Sequence, residues 1–224
     1  MSTVERATSV SPYQIREPGL GDYVRSAWAV LLKDLRCELR ARQALSAVLL
    51  FAVTSTVAVS FGLGAWGSKS AVASAMLWIV IYFSAMSGLS RSFVREDETY
   101  TAATLKLAAR PNSVYLGKLA FNWATLIALE IVTVPLFALL TGCSVARWGL
   151  FLAILTLGGL GLSAGATMAA CMVARAVTKG ALFAVISFPL LIPVLAVAIH
   201  GSDLAMSGGA VGEVLADIRL LAYY

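Results

Sequence analysis

Charge is what this sequence has least of. Only 13% of its 224 residues are Asp, Glu, Lys or Arg, about half the ~25% usual in a soluble domain. With 59% hydrophobic residues and a mean hydropathy of +0.84, the composition excludes an ordinary soluble globule. It implies an all-α, polytopic transmembrane bundle. There is one histidine, which excludes a multi-histidine metal centre. Cys37, Cys143 and Cys171 are odd in number and far apart, so neither a disulfide framework nor a cysteine metal site is expected. The chain has no GxxxxGK[ST] loop, no Ser/His/Asp set, no paired catalytic acids and no tryptophan-rich haem motif. Hydrolysis of ATP by this chain is therefore not expected. Residues 1–21 are polar, with Pro12, Pro18, Gly19 and Gly21. They read as a flexible tail, because no short apolar core follows a basic start as in a signal peptide.

What the sequence does have is one dense polar interruption, Arg91–Lys118, between long apolar runs. It carries basic Arg91, Arg95, Lys106, Arg110 and Lys118, and the acidic triplet Glu96, Asp97 and Glu98. Each such charge at the centre of a span costs roughly 2.5–3.5 kcal/mol on insertion scales, so the stretch is placed outside the hydrocarbon. Its early acids and late bases suit a helix macrodipole. Ala102, Ala103, Leu105, Lys106, Leu107 and Ala108 are good helix formers. The spacing predicts a short amphipathic helix stopped at Pro111, either lying on the membrane surface or docking a soluble partner.

Before it, Asp22 reads as an N-cap and Tyr23–Arg42 as an amphipathic helix, with Val24, Trp28, Leu31, Leu32, Leu35 and Leu39 at helical spacing. Five spans follow, at about 44–64, 71–89, 119–141, 148–174 and 181–199. The segment 200–209 reads as a polar linker and 210–224 as a partial helix. A permease-like single domain over 22–224 is the expected organisation. Gly62, Gly64 and Gly67 spell GxGxxG, but at the end of a membrane helix instead of after a strand, so no nucleotide site is inferred. Trp66 fits an interfacial anchor.

Few residues carry chemistry. Glu130 is the one acid inside a span, twelve residues past Lys118 and so about 18 Å along a helix at about 1.5 Å per residue. A mid-bilayer carboxyl is a functional candidate, or else a structural interhelical hydrogen bond. Gly161, Gly165 and Ala169 form a small-xxx-small face for close packing. Pro189 and Pro193 lie four apart in one span and make either a hinge or a static kink. Pro135 is a second kink candidate. His200 ends the last span; it is an interfacial histidine or a contact for haem iron.

Lys and Arg counts fix the expected orientation. The segment before the first span, the polar stretch and the 175–180 loop hold most of the basic residues; the opposite side has little beyond Lys69, Arg147 and Arg219. The N-terminus and the polar stretch are therefore expected in the cytoplasm.

These residues resemble a known family. The segment LSRSFVREDETYTAATLKLAARPNSVYLGKLAFNW, then Glu130, Pro135-Leu136-Phe137 and FPLLIPVL, preceded by KDLRCELRARQ, are similar to CcmB, the membrane permease subunit of the cytochrome c maturation ABC transporter, often called the haem exporter. The resemblance covers about Leu32 to Ile199. It implies an exporter-type permease of the bacterial inner membrane, with an N-terminal elbow helix and two membrane subunits per complex. It implies a CcmA-like ATPase in the cytoplasm, association with CcmC and CcmD, and a role in releasing the haem-loaded chaperone CcmE. ATP would be bound by the partner; haem would be a substrate and not a resident cofactor. Arg91, Arg95, Glu96, Asp97, Glu98 and Leu105 would lie in the coupling helix that meets the ATPase. The family has six spans, whereas five and part of a sixth are legible here. Other readings of the residues remain: a permease for lipid, polysaccharide or drug, a non-transporting scaffold of a maturation complex, or an intramembrane enzyme using Glu130.

Overall fold

The structure, a computed structural model, describes residues 20–41, 43–63, 69–89, 111–173 and 179–224. Among them are seven helices: α1 (Leu20–Ala41), α2 (Gln43–Leu63), α3 (Ser70–Leu89), α4 (Pro111–Thr141), α5 (Trp148–Val173), α6 (Lys179–Ser207) and α7 (Val211–Tyr223). Helices α2 to α6 are each long and apolar enough to cross a membrane, since about 20 residues span some 30 Å of hydrocarbon. The all-helical, polytopic expectation holds.

Helix α5 is the centre of the bundle, 56% buried over its apolar window against 17% for α2 at the periphery. Its glycines explain why. A Cβ on Gly165 would stand 2.5 Å from Leu191 Cδ2, and one on Gly161 3.1 Å from Val194 Cγ1, both on α6. On Gly158 it would meet the Trp78 ring of α3 at 2.4 Å. Small residues thus let α3 and α6 close on α5, which in lipid substitutes for a hydrophobic driving force. The predicted small-residue face is used within the chain, against α6.

Three boundaries differ from the sequence expectation. Helix α1 begins at Leu20, so Asp22 lies within the first turn and is not the N-cap. Helix α4 begins at Pro111, eight residues before the predicted span; proline is tolerated there because a first-turn N–H has no helical partner. Lys118, assigned by sequence to the polar stretch, is thereby inside a helix and fully buried. Helix α6 continues through the predicted linker to Ser207. Ser202 is inward there and accepts a 2.9 Å hydrogen bond from Trp78 Nε1, so the polar residues after His200 are absorbed by packing.

Helix α6 ends in a Schellman turn: Gly208 has φ +79°, and Gly209 N–H donates to Leu204 O at 2.8 Å. Helix α7 then runs back antiparallel to α6 and parallel to α5, packed against both. Val214 and Leu221 are buried, and the Tyr224 hydroxyl donates to Leu190 O.

Candidate functional site

The residues expected to couple to a partner, Arg91, Arg95, Glu96, Asp97, Glu98 and Leu105, lie outside the described residues, as do Trp66, residues 1–19 and residues 174–178. Helix α4 starts at Pro111, at the end of the bundle that joins the polar stretch. There α1 is clamped to α4. A Cβ on Gly117 would stand 2.7 Å from Ala27 O and 2.7 Å from Val30 Cβ, a backbone approach that only glycine permits. One residue on, Lys118 Nζ meets Asp34 Oδ2 at 3.5 Å, with Lys118 fully buried and Asp34 14% exposed. Asp34 also pairs with Lys33 at 3.1 Å. A turn further along α1, Glu38 Oε1 accepts the Leu45 N–H at 2.8 Å. That satisfies a donor of the first turn of α2 that has no helical partner.

Helix α1 therefore ties the starts of two spans together. A neighbouring face of α1 exposes Val24, Trp28, Leu35 and Leu39. These positions share one helical face, as an interfacial helix requires. Sequence reasoning placed Lys118 in the polar stretch and assigned no partner to Asp34 or Glu38. Their partners lie 84 and 7 residues away, and no local periodicity reports a contact across 84 residues.

Inside the bundle, Glu130 is 6% exposed, between α4 and α5. Its Oε1 has no hydrogen-bond partner among the described residues. It sits where a Cβ on Gly159 would be 2.8 Å away, so the missing methyl of Gly159 is the space the carboxyl occupies. The facing stripes continue toward the α1 end. Asn122 Nδ2 donates to Thr167 Oγ1 at 2.8 Å. Ser163, midway between Gly159 and Thr167 at i+4 spacing, is fully buried with its Oγ unpartnered. This polar seam runs from Asn122 to Glu130, eight residues or about 12 Å. Glu130 was legible in the sequence; Gly159, Ser163 and Thr167 were not, because small polar residues are ordinary in membrane helices.

At the far end a second polar group joins α3, α6 and α7. Ser70 Oγ donates to Asp203 Oδ1. The Arg147 side chain donates to Gly209 O, and its backbone N–H to Ala205 O at 3.1 Å. His200 Nδ1 lies 2.7 Å from Asp217 Oδ2, the histidine side chain being 60% exposed and that of Asp217 11%. His200 is thus within α6, about two turns before Ser207, and not at its end. Pro189 and Pro193 stand inside the same helix, which continues unbroken through both. Among the described residues, no cluster of three His, Cys, Asp or Glu side chains suits a metal ion.

No solved structure matches this chain. Two curated relatives share its length. "Heme exporter protein B" of Rhodobacter capsulatus is 28% identical over 196 residues, covering 87% of this chain and 88% of that protein. "Heme exporter protein B" of Paracoccus denitrificans is 27% identical over 197 residues, with 87% and 88% covered. The family model described as CcmB protein matches residues 25–223. That interval takes in the α1 clamp, the Glu130 seam and the His200–Asp217 pair, so this chain belongs to the CcmB family.

Proposed function

We propose that the protein is the membrane permease subunit of an ABC transporter for cytochrome c maturation, coupling ATP hydrolysis in a partner ATPase to haem export or to release of a haem-loaded chaperone. The observation that carries this reading is the family match over residues 25–223, joined by two relatives named as haem exporters. This chain supplies transport and not catalysis; ATP belongs to the CcmA-like partner, and CcmC, CcmD and CcmE complete the assembly, with two membrane subunits per complex. It sits in the bacterial inner membrane with its N-terminus in the cytoplasm, an orientation that the Lys and Arg distribution supports.

The mechanism is mechanical. The stretch around Arg91, Arg95, Glu96, Asp97, Glu98 and Leu105 docks on the ATPase, its acids meeting basic groups there. Motion of the stretch enters α4 at Pro111 within a few residues of Gly117 and Lys118. The Asp34 and Glu38 contacts carry it to α1 and α2 as one unit. Helix α6 is the element with two arrangements that coupling needs, bending at Pro189 and Pro193.

Deletion followed by complementation tests the reading. The deletion strain is expected to lose c-type cytochromes specifically, and to regain them with the wild-type chain but not when the partner ATPase is inactive. Unchanged cytochromes with altered lipid, polysaccharide or drug handling would reject it in favour of another exporter. Restoration by an ATPase-dead complex would point to a scaffold.

A further inference from the structure

The exposed face of α6 is unusual for a helix in lipid. Pro189, Pro193, Ala196 and His200 are all exposed, and their spacing of i, i+4, i+7 and i+11 puts them on one stripe. Proline has no N–H, so the helical donors to the Val185 and Pro189 carbonyls are missing on that stripe. Lipid offers such carbonyls nothing, so they are left for a neighbouring helix, water or a polar ligand to satisfy. A histidine in the same row, toward the Arg147 and Asp203 end, points to a ligand-facing surface.

Asp217 makes that histidine specific. A carboxylate only accepts hydrogen bonds, so the Nδ1–H of a neutral His200 is directed to Asp217 Oδ2 at 2.7 Å and the ring lone pair is left at Nε2. Asp217 is 8% exposed and is held against Gly201, where a Cβ would meet Asp217 Cβ and Oδ2 at 3.2 Å. The partner of Nδ1 is therefore fixed while 60% of the histidine side chain stays open. A carboxylate behind an imidazole is the arrangement that orients metal-binding histidines and raises their basicity.

We propose that His200 binds the iron of haem through Nε2, with the porphyrin resting on the Pro193–Ala196 stripe of α6 and Asp217 acting as the positioning residue. The proposal rests on the reading that haem is the substrate, and it adds the residue that would take hold of it at the end of the bundle remote from the ATPase-docking stretch.

The test is a visible-spectrum titration of the purified full-length protein in detergent with ferric protoporphyrin IX. Metal-free protoporphyrin serves as the control for apolar adsorption. Wild type is expected to show a saturable shift of the Soret band with the iron porphyrin, and His200→Ala to lose it while binding the metal-free ring as before. Asp217→Asn is expected to weaken iron-porphyrin binding by roughly 10–100-fold and to raise the midpoint potential of what remains bound. Asp217→Glu, which keeps the acceptor, restores both toward wild type and guards against a fold defect in the Asn variant. Identical titrations for wild type and His200→Ala, whether both shift or neither does, would overturn the proposal. Deletion is scored separately: if it abolishes c-type cytochromes while the titrations are identical, this site fails and the transporter reading stands. If deletion leaves the cytochromes intact, the transporter reading itself fails.

Discussion

Single residues set how closely these helices meet, and glycine does most of it. Gly165→Ala puts a methyl 2.5 Å from Leu191 Cδ2, and Gly159→Ala puts one 2.8 Å from Glu130 Oε1. Overpacking of this kind costs about 1–3 kcal/mol, so both variants are expected to lower the midpoint of thermal unfolding in detergent. Gly62→Ala, with nothing within 4 Å, is expected not to lower it. Equal midpoints for all three would mean that the packing around α5 is not as described. Glu130 is sharper still. If its role is only to fill the Gly159 recess, Glu130→Gln, of nearly the same shape, keeps cytochrome c maturation. If the carboxyl acts in transport, that variant folds and fails. The unpartnered Oε1 favours the second outcome, and membrane insertion assayed beside maturation separates the two. The sequence exposed Glu130 because an acid in an apolar run is rare. It hid Gly159, since which of the glycines in α5 faces an acid depends on how α4 rotates, and rotation is set by packing.

At the scale of elements, the clamp of α1 on α4 makes the strongest claim. Removing one member of a buried ion pair is strongly destabilising, whereas replacing both by apolar residues is far milder. Asp34→Leu is therefore expected to destabilise the protein more than the double variant Asp34→Leu, Lys118→Met. A coupling energy of roughly 0.5–3 kcal/mol is expected from the double-mutant cycle; additive effects would show that the 3.5 Å pair contributes nothing. Helix α6 gives the second prediction. Replacing Pro189 and Pro193 together by alanine restores two helical hydrogen bonds and stiffens the span. Maturation is expected to fall although the protein inserts normally, and unchanged maturation would remove α6 as the moving element. The five spans were legible, because each apolar run declares one. Boundaries were not. Helix α4 starts early because Gly117 and Lys118 are covered by α1, and α6 ends late because Ser202 accepts the Trp78 N–H. Both causes lie on other helices, beyond the reach of a pattern read along one.

For the whole molecule, the parts arrange themselves along the length of the bundle. The end that joins the polar stretch holds α1 and the Asp34–Lys118 pair; the middle holds Glu130; the far end holds Asp203, Arg147 and the His200–Asp217 pair. This order suits a machine driven from one side whose cargo is handled on the other. Its central claim is that the stretch with Glu96, Asp97 and Glu98 is where a soluble ATPase takes hold. The direct measurement is co-purification of the cognate ATPase with this protein, wild type against the variant in which all three acids are changed to lysine, with insertion of both verified. The account predicts that the ATPase comes down with the wild type and is lost on charge reversal. Retention by both forms, or by neither, would contradict it.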